Sequence, residues 1–221
     1  ESQKRYFERD WKWFAKRLSS PDQWRLFSSV PGPVAYVDIE TTGCSTQQSD
    51  ITIVGLFDGE AAHVYLADFR DLREQPPIRP GKHRVVISPG SKLGAKIAES
   101  SRIVTFNGSS FDLPILRRFF PDIDFDLPHL DLRPALRTLG LRGGLKRIEV
   151  DLGIERPSAV KGMNGYDAVI MWQNYRNRND LQSLARLIEY NVQDIANLQT
   201  LTSYFLDRMI TGMPEGTSAI L

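Results

Sequence analysis

The chain has 221 residues and a mass of 25.1 kDa, the length of one domain of ordinary size with room for an appendage. Hydrophobic residues make up 41% and charged residues 25%, a globular composition that excludes a largely disordered or collagen-like chain. With 28 basic and 27 acidic side chains the formal net charge is +1, which excludes an overall basic coat for non-specific nucleic-acid binding but not a local patch or a metal site. A single cysteine, Cys44, rules out an intrachain disulfide and points to a reducing compartment. No apolar run approaches the ~20 residues of a membrane span, and no secretory signal opens the sequence as it stands. It starts on Glu1 instead of Met, which leaves a missing natural start open. The expectation is a cytoplasmic protein with no membrane association.

Phe7, Trp11, Phe14 and Leu18 recur at helical spacing among charged residues and predict one amphipathic helix, ended by Ser19-Ser20-Pro21-Asp22. Pro31-Gly32-Pro33 closes this extension, residues 1–30. Its aromatic stripe reads as packing on the main domain; a docking helix for a protein partner is the alternative. From Val34 the pattern alternates between β and α. Val34 to Ile39, Ile51 to Phe57 and Ala62 to Leu66 are short apolar strands, the last two joined by the Asp58-Gly59 turn. A Pro-rich polar loop, Glu74 to Pro80, precedes a short helix from Leu93 to Ala98. Arg102 to Phe106 and His129 to Leu132 are the fourth and fifth strands, with a helix between them from Phe111 to Phe120 that carries Pro114 in its first turn. The rest is helical. Leu145, Ile148 and Leu152 are capped by Gly153, a helix spans Asp167 to Tyr175, and a long one runs from about Asp180 to Arg208. The whole predicts an α/β fold, a mixed five-stranded sheet with helices against it. Residues 31–210 form the main domain and 211–221 a C-terminal tail.

Three segments carry chemistry. In Asp38-Ile39-Glu40-Thr41-Thr42-Gly43, at the end of the first strand, Asp38 and Glu40 project from one face because strand side chains alternate. Two carboxylates that close repel unless a cation neutralises them, and hard ions such as Mg²⁺ or Mn²⁺ suit all-oxygen donors. The second segment, Thr105-Phe106-Asn107-Gly108-Ser109-Ser110-Phe111-Asp112, lies where a strand gives way to a helix, the usual place for sites in α/β sheets. Asp112 also reads as a first-turn acid complementing the helix dipole. In the long helix Tyr190 and Asp194 are one turn apart and share a face. Leu181, Leu184, Ile188, Val192 and Ile195 define the face expected to pack on the sheet, while Leu187, Leu198 and Leu201 lie nearer Tyr190.

The order and spacing of these motifs resemble the DEDD exonuclease superfamily of ribonuclease H-like folds, in its tyrosine-containing branch. Asp38 and Glu40 match its D-x-E motif; Asn107, Phe111 and Asp112 match N-x-x-x-[FY]-D; Tyr190 and Asp194 match Y-x-x-x-D. Gly144-Leu145-Lys146-Arg147-Ile148-Glu149, Leu152-Gly153-Ile154 and Tyr190-Asn191 look most like the YprB-like ribonuclease H-like domain family. The proofreading domains of family B DNA polymerases resemble the three main motifs as well. The resemblance implies a five-stranded ribonuclease H-like sheet with helices on both faces. It also implies a 3′–5′ exonuclease acting on DNA or RNA 3′ ends, single-stranded by preference. By the same resemblance, two divalent ions, Mg²⁺ or Mn²⁺, are expected to be held by Asp38, Glu40, Asp112 and Asp194, with Tyr190 beside the attacking water and Thr41, Thr42, Asn107 and Phe111 meeting the nucleic acid. Two basic stretches fit a phosphate-binding groove: residues 70–102 carry eight Lys or Arg against three acids, and residues 132–147 carry five with none. The rival readings are a silent ribonuclease H-like module that binds nucleic acid or protein, and another two-metal hydrolase such as a phosphatase. His63 and Asp68 have the spacing of the superfamily's histidine branch, but they precede the second motif, and His63 reads as a hairpin residue.

Overall fold

The computed structural model describes residues 1–27, 29–67, 76–79 and 81–212. These residues build one mixed sheet from β1 (Val34–Thr41), β2 (Ile51–Phe57), β3 (Ala61–Leu66), β4 (Arg84–Pro89), β5 (Arg102–Thr105) and β6 (His129–Asp131). The strands lie in the order β4-β3-β2-β1-β5-β6. β1, β2 and β3 form the expected antiparallel meander, while β4 joins β3, β5 joins β1 and β6 joins β5 in parallel. The sheet has six strands instead of five. The extra strand, β4, is an edge strand that is only half-buried and ends at Pro89, so its apolar run Val85-Val86-Ile87 is masked by basic and proline-rich flanks.

Alternation along β1 separates two layers of helix. Ala35, Val37 and Ile39 face a core shared with α3 (Leu93–Ala98) and α4 (Asp112–Phe119). Tyr36 faces the opposite core, closed by α5 (Leu132–Thr138), α6 (Leu145–Asp151) and α8 (Leu181–Thr211). α7 (Gly165–Arg178) packs beside α8 against β2 and β3. α7 begins earlier than its periodicity predicts because Asn164 and Asp167 form a reciprocal capping box. In α8 the buried stripe is wider than expected: Leu187, Tyr190, Asn191, Asp194, Leu198 and Leu201 are covered, as are Leu184, Ile188 and Ile195, whereas Leu181 and Val192 sit at the margin.

The single amphipathic helix expected at the start is instead two short ones, α1 (Ser2–Phe7) and α2 (Trp11–Ala15), followed by a 3₁₀ segment, Ser20–Leu26. Arg9 takes a left-handed φ of 54° and the Asp10 side chain accepts from the Trp13 N–H, which starts a new helix and leaves Phe7 exposed. Trp24 and Phe27 anchor the segment by entering the α8-side core. No helix among the described residues is long and apolar enough to cross a membrane.

The β2–β3 turn is held by Asp58. One of its oxygens accepts from the Glu60 and Ala61 N–H groups, while the other lies 2.9 Å from His63 Nε2 and 2.8 Å from Lys96 Nζ. His63 is thus a hairpin residue; Asp68, its supposed companion, lies outside the described residues. Burial alone would push the Asp58 carboxyl up, but Lys96, the two N–H groups and His63 together outweigh it and hold it well below the usual range. A carboxyl depressed on folding stabilises the fold above its unfolded value of about 4, and that contribution fades as pH falls through the folded value. Wild type should therefore exceed Asp58→Asn by ~2 kcal/mol in urea unfolding at pH 7. The gap should shrink steadily below about pH 4. A gap independent of pH between 7 and 2.5 would assign the difference to packing.

Candidate functional site

β1 delivers Asp38 and Glu40 to the face under α8, and α8 returns Asp194 to them. One carboxylate oxygen from each of Asp38, Glu40 and Asp194 lies within 4.8 Å of the others. The bulge where register shifts between Glu40 and Thr41 ends the regular β1–β2 ladder beside this cluster. Asn191, one turn before Ile195, donates from Nδ2 to Asp38 Oδ2 at 3.0 Å and also serves Glu40. It reaches them because Gly55, opposite Asp38 in β2, has no side chain: a Cβ there would overlap Asn191 Oδ1 and sit 2.9 Å from its Cγ.

Asp112 approaches from α4 on the other side of β1. Its Oδ1 accepts from the Ile39 N–H at 3.1 Å, so it is near the cluster but not within the 4.8 Å group. The loop before it is tied down by Asp131 at the end of β6, which accepts from the Asn107 N–H (2.7 Å), the Ser109 N–H (3.0 Å) and the Arg133 N–H (3.2 Å). Asn107 sits at φ 69°, where Asn is tolerated, and its Oδ1 accepts from Arg133 Nη1 at 2.9 Å. Phe111 is half-buried against the α4-side core. The Thr41 hydroxyl donates to the Gly43 carbonyl and that of Thr42 accepts from the Asp50 N–H, so both are engaged within their own loop.

Tyr190 lies on the cluster's flank with its hydroxyl hydrogen-bonded to Lys146 Nζ, which is 3.8 Å from Asp194 Oδ2 and 4.4 Å from the tyrosine ring centroid. Arg156 donates to Asp194 Oδ1 and grips both oxygens of Glu149. Arg156 and Asp131 carry no motif of their own, and Lys146 entered only through a family likeness and as one charge of the basic stretch 132–147; their roles come from tertiary contacts. Asn191 was visible in sequence only as the neighbour of Tyr190.

The electrostatics explain what the cluster needs. Burial, then Glu40, Asp194 and Asp112, push the Asp38 carboxyl well up, against the pull of Lys146. Glu40 is pushed up by burial and Asp194, and Asp194 by burial against Lys146 and Arg156. Asp112 rises to about 7, through burial opposed by the Ile39 N–H. Tyr190 is raised by burial and by the surrounding carboxylates, which keeps its phenol protonated at neutral pH. A buried all-oxygen donor set whose members resist ionisation side by side is one that a hard divalent cation relieves. The residues present therefore fit such an ion.

Fold and site together define an α/β protein of the ribonuclease H-like type with a nuclease-type acidic centre. The RNase_H superfamily model matches residues 35–206, and the chain belongs to that superfamily. Among solved structures it is similar to the family B DNA polymerase from the hyperthermophilic archaeon Pyrobaculum calidifontis, with a TM-score of 0.60 at 16% identity. The match covers 81% of this chain and 25% of the polymerase, so the likeness is one of fold over a quarter of that protein. No curated protein matches the sequence.

Gly55→Ala tests the packing under the cluster. The added methyl must displace the side chain of Asn191, which is fully buried on the sheet-facing side of α8. We expect a loss of ~1–3 kcal/mol in chemical denaturation, the usual cost of overpacking. A double variant, Gly55→Ala with Asn191→Ala, should recover part of it by making room. Full stability in the single variant would show that Asn191 moves freely.

Proposed function

We propose that this chain is a 3′–5′ exonuclease of the DEDD superfamily's tyrosine branch, close to the YprB-like domains. It hydrolyses terminal phosphodiesters of DNA or RNA and releases nucleoside 5′-monophosphates. The observation that carries the reading is the meeting of Asp38, Glu40 and Asp194 within 4.8 Å, with Tyr190 one turn from Asp194. Residues 31–210 are the catalytic unit in this reading. Residues 1–30 are an extension that packs on this unit through Trp24 and Phe27, with docking of a protein partner as the alternative; of the proposed tail 211–221, residues 213–221 lie outside the described residues, and the lone Cys44 suits a cytoplasmic setting.

Asp38, Glu40 and Asp194, with Asp112 beside them, would hold two Mg²⁺ or Mn²⁺ ions. The chemistry supplied there, when ions are bound, would be acidification of the attacking water and stabilisation of the leaving 3′ oxygen. The water adds to phosphorus, the bond from phosphorus to the penultimate 3′ oxygen breaks, and that oxygen ends protonated. Tyr190, protonated at neutral pH, is suited to orient the water by hydrogen bonding, with Lys146 fixing its oxygen. The backbone around Thr41 and Thr42 would line the 3′ end, where the exposed Thr42 hydroxyl, which accepts from the Asp50 N–H, still has its proton to donate, and Asn107 and Phe111 would flank it. Arg133, Arg137 and Arg142, all exposed, supply positive charge for the phosphate backbone. Part of the other basic stretch, residues 70–75 and 80, lies outside the described residues.

A single-stranded oligonucleotide labelled at its 5′ end should shorten stepwise in Mg²⁺, and EDTA or Asp38→Asn should abolish the ladder. Label released at once as a mononucleotide would reverse the polarity, and a bound but uncut strand would favour the silent module.

Tyr190→Phe separates orientation from structure. Mn²⁺ binding should be unchanged, and the single-turnover rate should fall by about 10–10³-fold, up to the middle of the span for acid–base assistance. Undiminished turnover would remove the hydroxyl from the mechanism.

A further inference from the structure

Arg156 has no counterpart in the motifs that mark the site, yet it touches the metal-binding cluster directly. Its position follows from the end of α6. The Gly153 N–H bonds to the Val150 carbonyl and the Ile154 N–H to the Glu149 carbonyl at 2.8 Å, with Gly153 at φ 70°. This is a Schellman closure, which sends the chain back over the helix that it has just left. Arg156, seven residues beyond Glu149, is thereby turned onto the Glu149 side chain, with Nη2 2.6 Å from Oε1. The same Nη2 donates to Asp194 Oδ1. Asn197 on α8 donates to Glu149 Oε1 at 2.8 Å, and Gln193 donates to Asn197 at 2.7 Å, so the pair is braced from both helices.

We propose that Arg156 is a positioning residue: braced by Glu149, its guanidinium grips one oxygen of Asp194 and so fixes which oxygen that carboxylate offers to a divalent ion. The inference rests on the metal centre proposed above and adds a residue to it.

Two features separate this role from simple charge neutralisation. The Arg156 side chain is only 7% exposed and that of Glu149 1%, whereas the Lys146 side chain, the other cation at Asp194, is 36% exposed. The arginine fork is planar and grips two carboxylates in one fixed arrangement; an ammonium is a point charge on a flexible stem. The arrangement is also poorly built for stability alone. Arg156 Nη1 is buried with no hydrogen-bond partner among the described residues, and a buried ion pair is often replaceable by apolar groups without loss. A cation placed permanently 7 residues from its brace, against an ion site that it electrostatically opposes, makes sense when orientation outweighs repulsion.

The test titrates the metal-free full chain with Mn²⁺, reading free ion by electron paramagnetic resonance, without nucleic acid, and records thermal melting in parallel. Arg156→Lys keeps the charge and loses the fork. Arg156→Met with Glu149→Gln removes both buried charges together and keeps an acceptor for Asn197. Both should fold, and in both the Mn²⁺ dissociation constant should rise by ~10–100-fold, the usual consequence of losing a group that orients a metal ligand. Wild-type affinity in Arg156→Lys, or tighter binding in the double variant, would show that Arg156 acts only as a countercharge and would overturn the proposal. A melting shift with unchanged affinity, or loss of the fold in both variants, would make the pair a stability element and overturn it equally. Wild-type protein that binds no Mn²⁺ would overturn the metal centre itself, a result distinct from all of these.

Discussion

Everything in this molecule is arranged around the mutual repulsion of carboxylates gathered beneath α8. Asp38, Glu40 and Asp194 are brought together where burial disfavours ionisation and each charge disfavours the next. Such a cluster is never favourable by itself; the rest of the fold must hold it together. Hydrophobic packing on both faces of the sheet supplies that force. The local compensation comes from Lys146, Arg156 and Asn191, each touching a member of the cluster. The site therefore stores a demand for positive charge, which is the property that a divalent-ion site needs.

The second constraint is register between a strand and a helix. Asp38 and Glu40 are fixed by ladder bonds to β2, whereas Asp194 can move only with α8, a helix of 31 residues. A one-residue slip of β1 would turn both acids into the α4-side core, and a slide of α8 would carry Asp194 away. Gly55 and Asn191 couple the two elements, because the missing side chain in β2 lets an α8 amide reach a β1 carboxylate. On the other side of the strand, the Asp112–Ile39 bond couples α4 to the same strand.

The sequence exposed the parts of this arrangement that obey local periodicity. Alternation put Asp38 and Glu40 on one face, and helical spacing put Tyr190 beside Asp194; both relations hold in the structure. The strands of the meander and the helix after the second motif were readable for the same reason. What was not readable depends on contacts between distant segments or on single backbone angles. β4 is an edge strand whose short apolar run has no alternating pattern. The break at Arg9 is one left-handed residue within an otherwise helical stripe. Asp131 looks like the end of a strand, and only the folded chain shows it holding the Asn107–Ser109 loop.

Lys146 and Arg156 show how the same charge can serve different purposes. Both approach Asp194, but on different oxygens: Lys146 lies nearest Oδ2 and Arg156 is bonded to Oδ1. The lysine is partly solvated and also holds the Tyr190 hydroxyl, so it can yield its place at Asp194 and keep a partner. The arginine is buried and tied to Glu149, whose own negative charge would be stranded if the guanidinium left. The lysine contact at Oδ2 is therefore the looser of the two, whereas the arginine at Oδ1 is held in place by its two-point grip on Glu149. The two oxygens of Asp194 are thus made unequal by their surroundings: Oδ1 is locked to a buried, braced guanidinium, and Oδ2 faces a partly solvated ammonium.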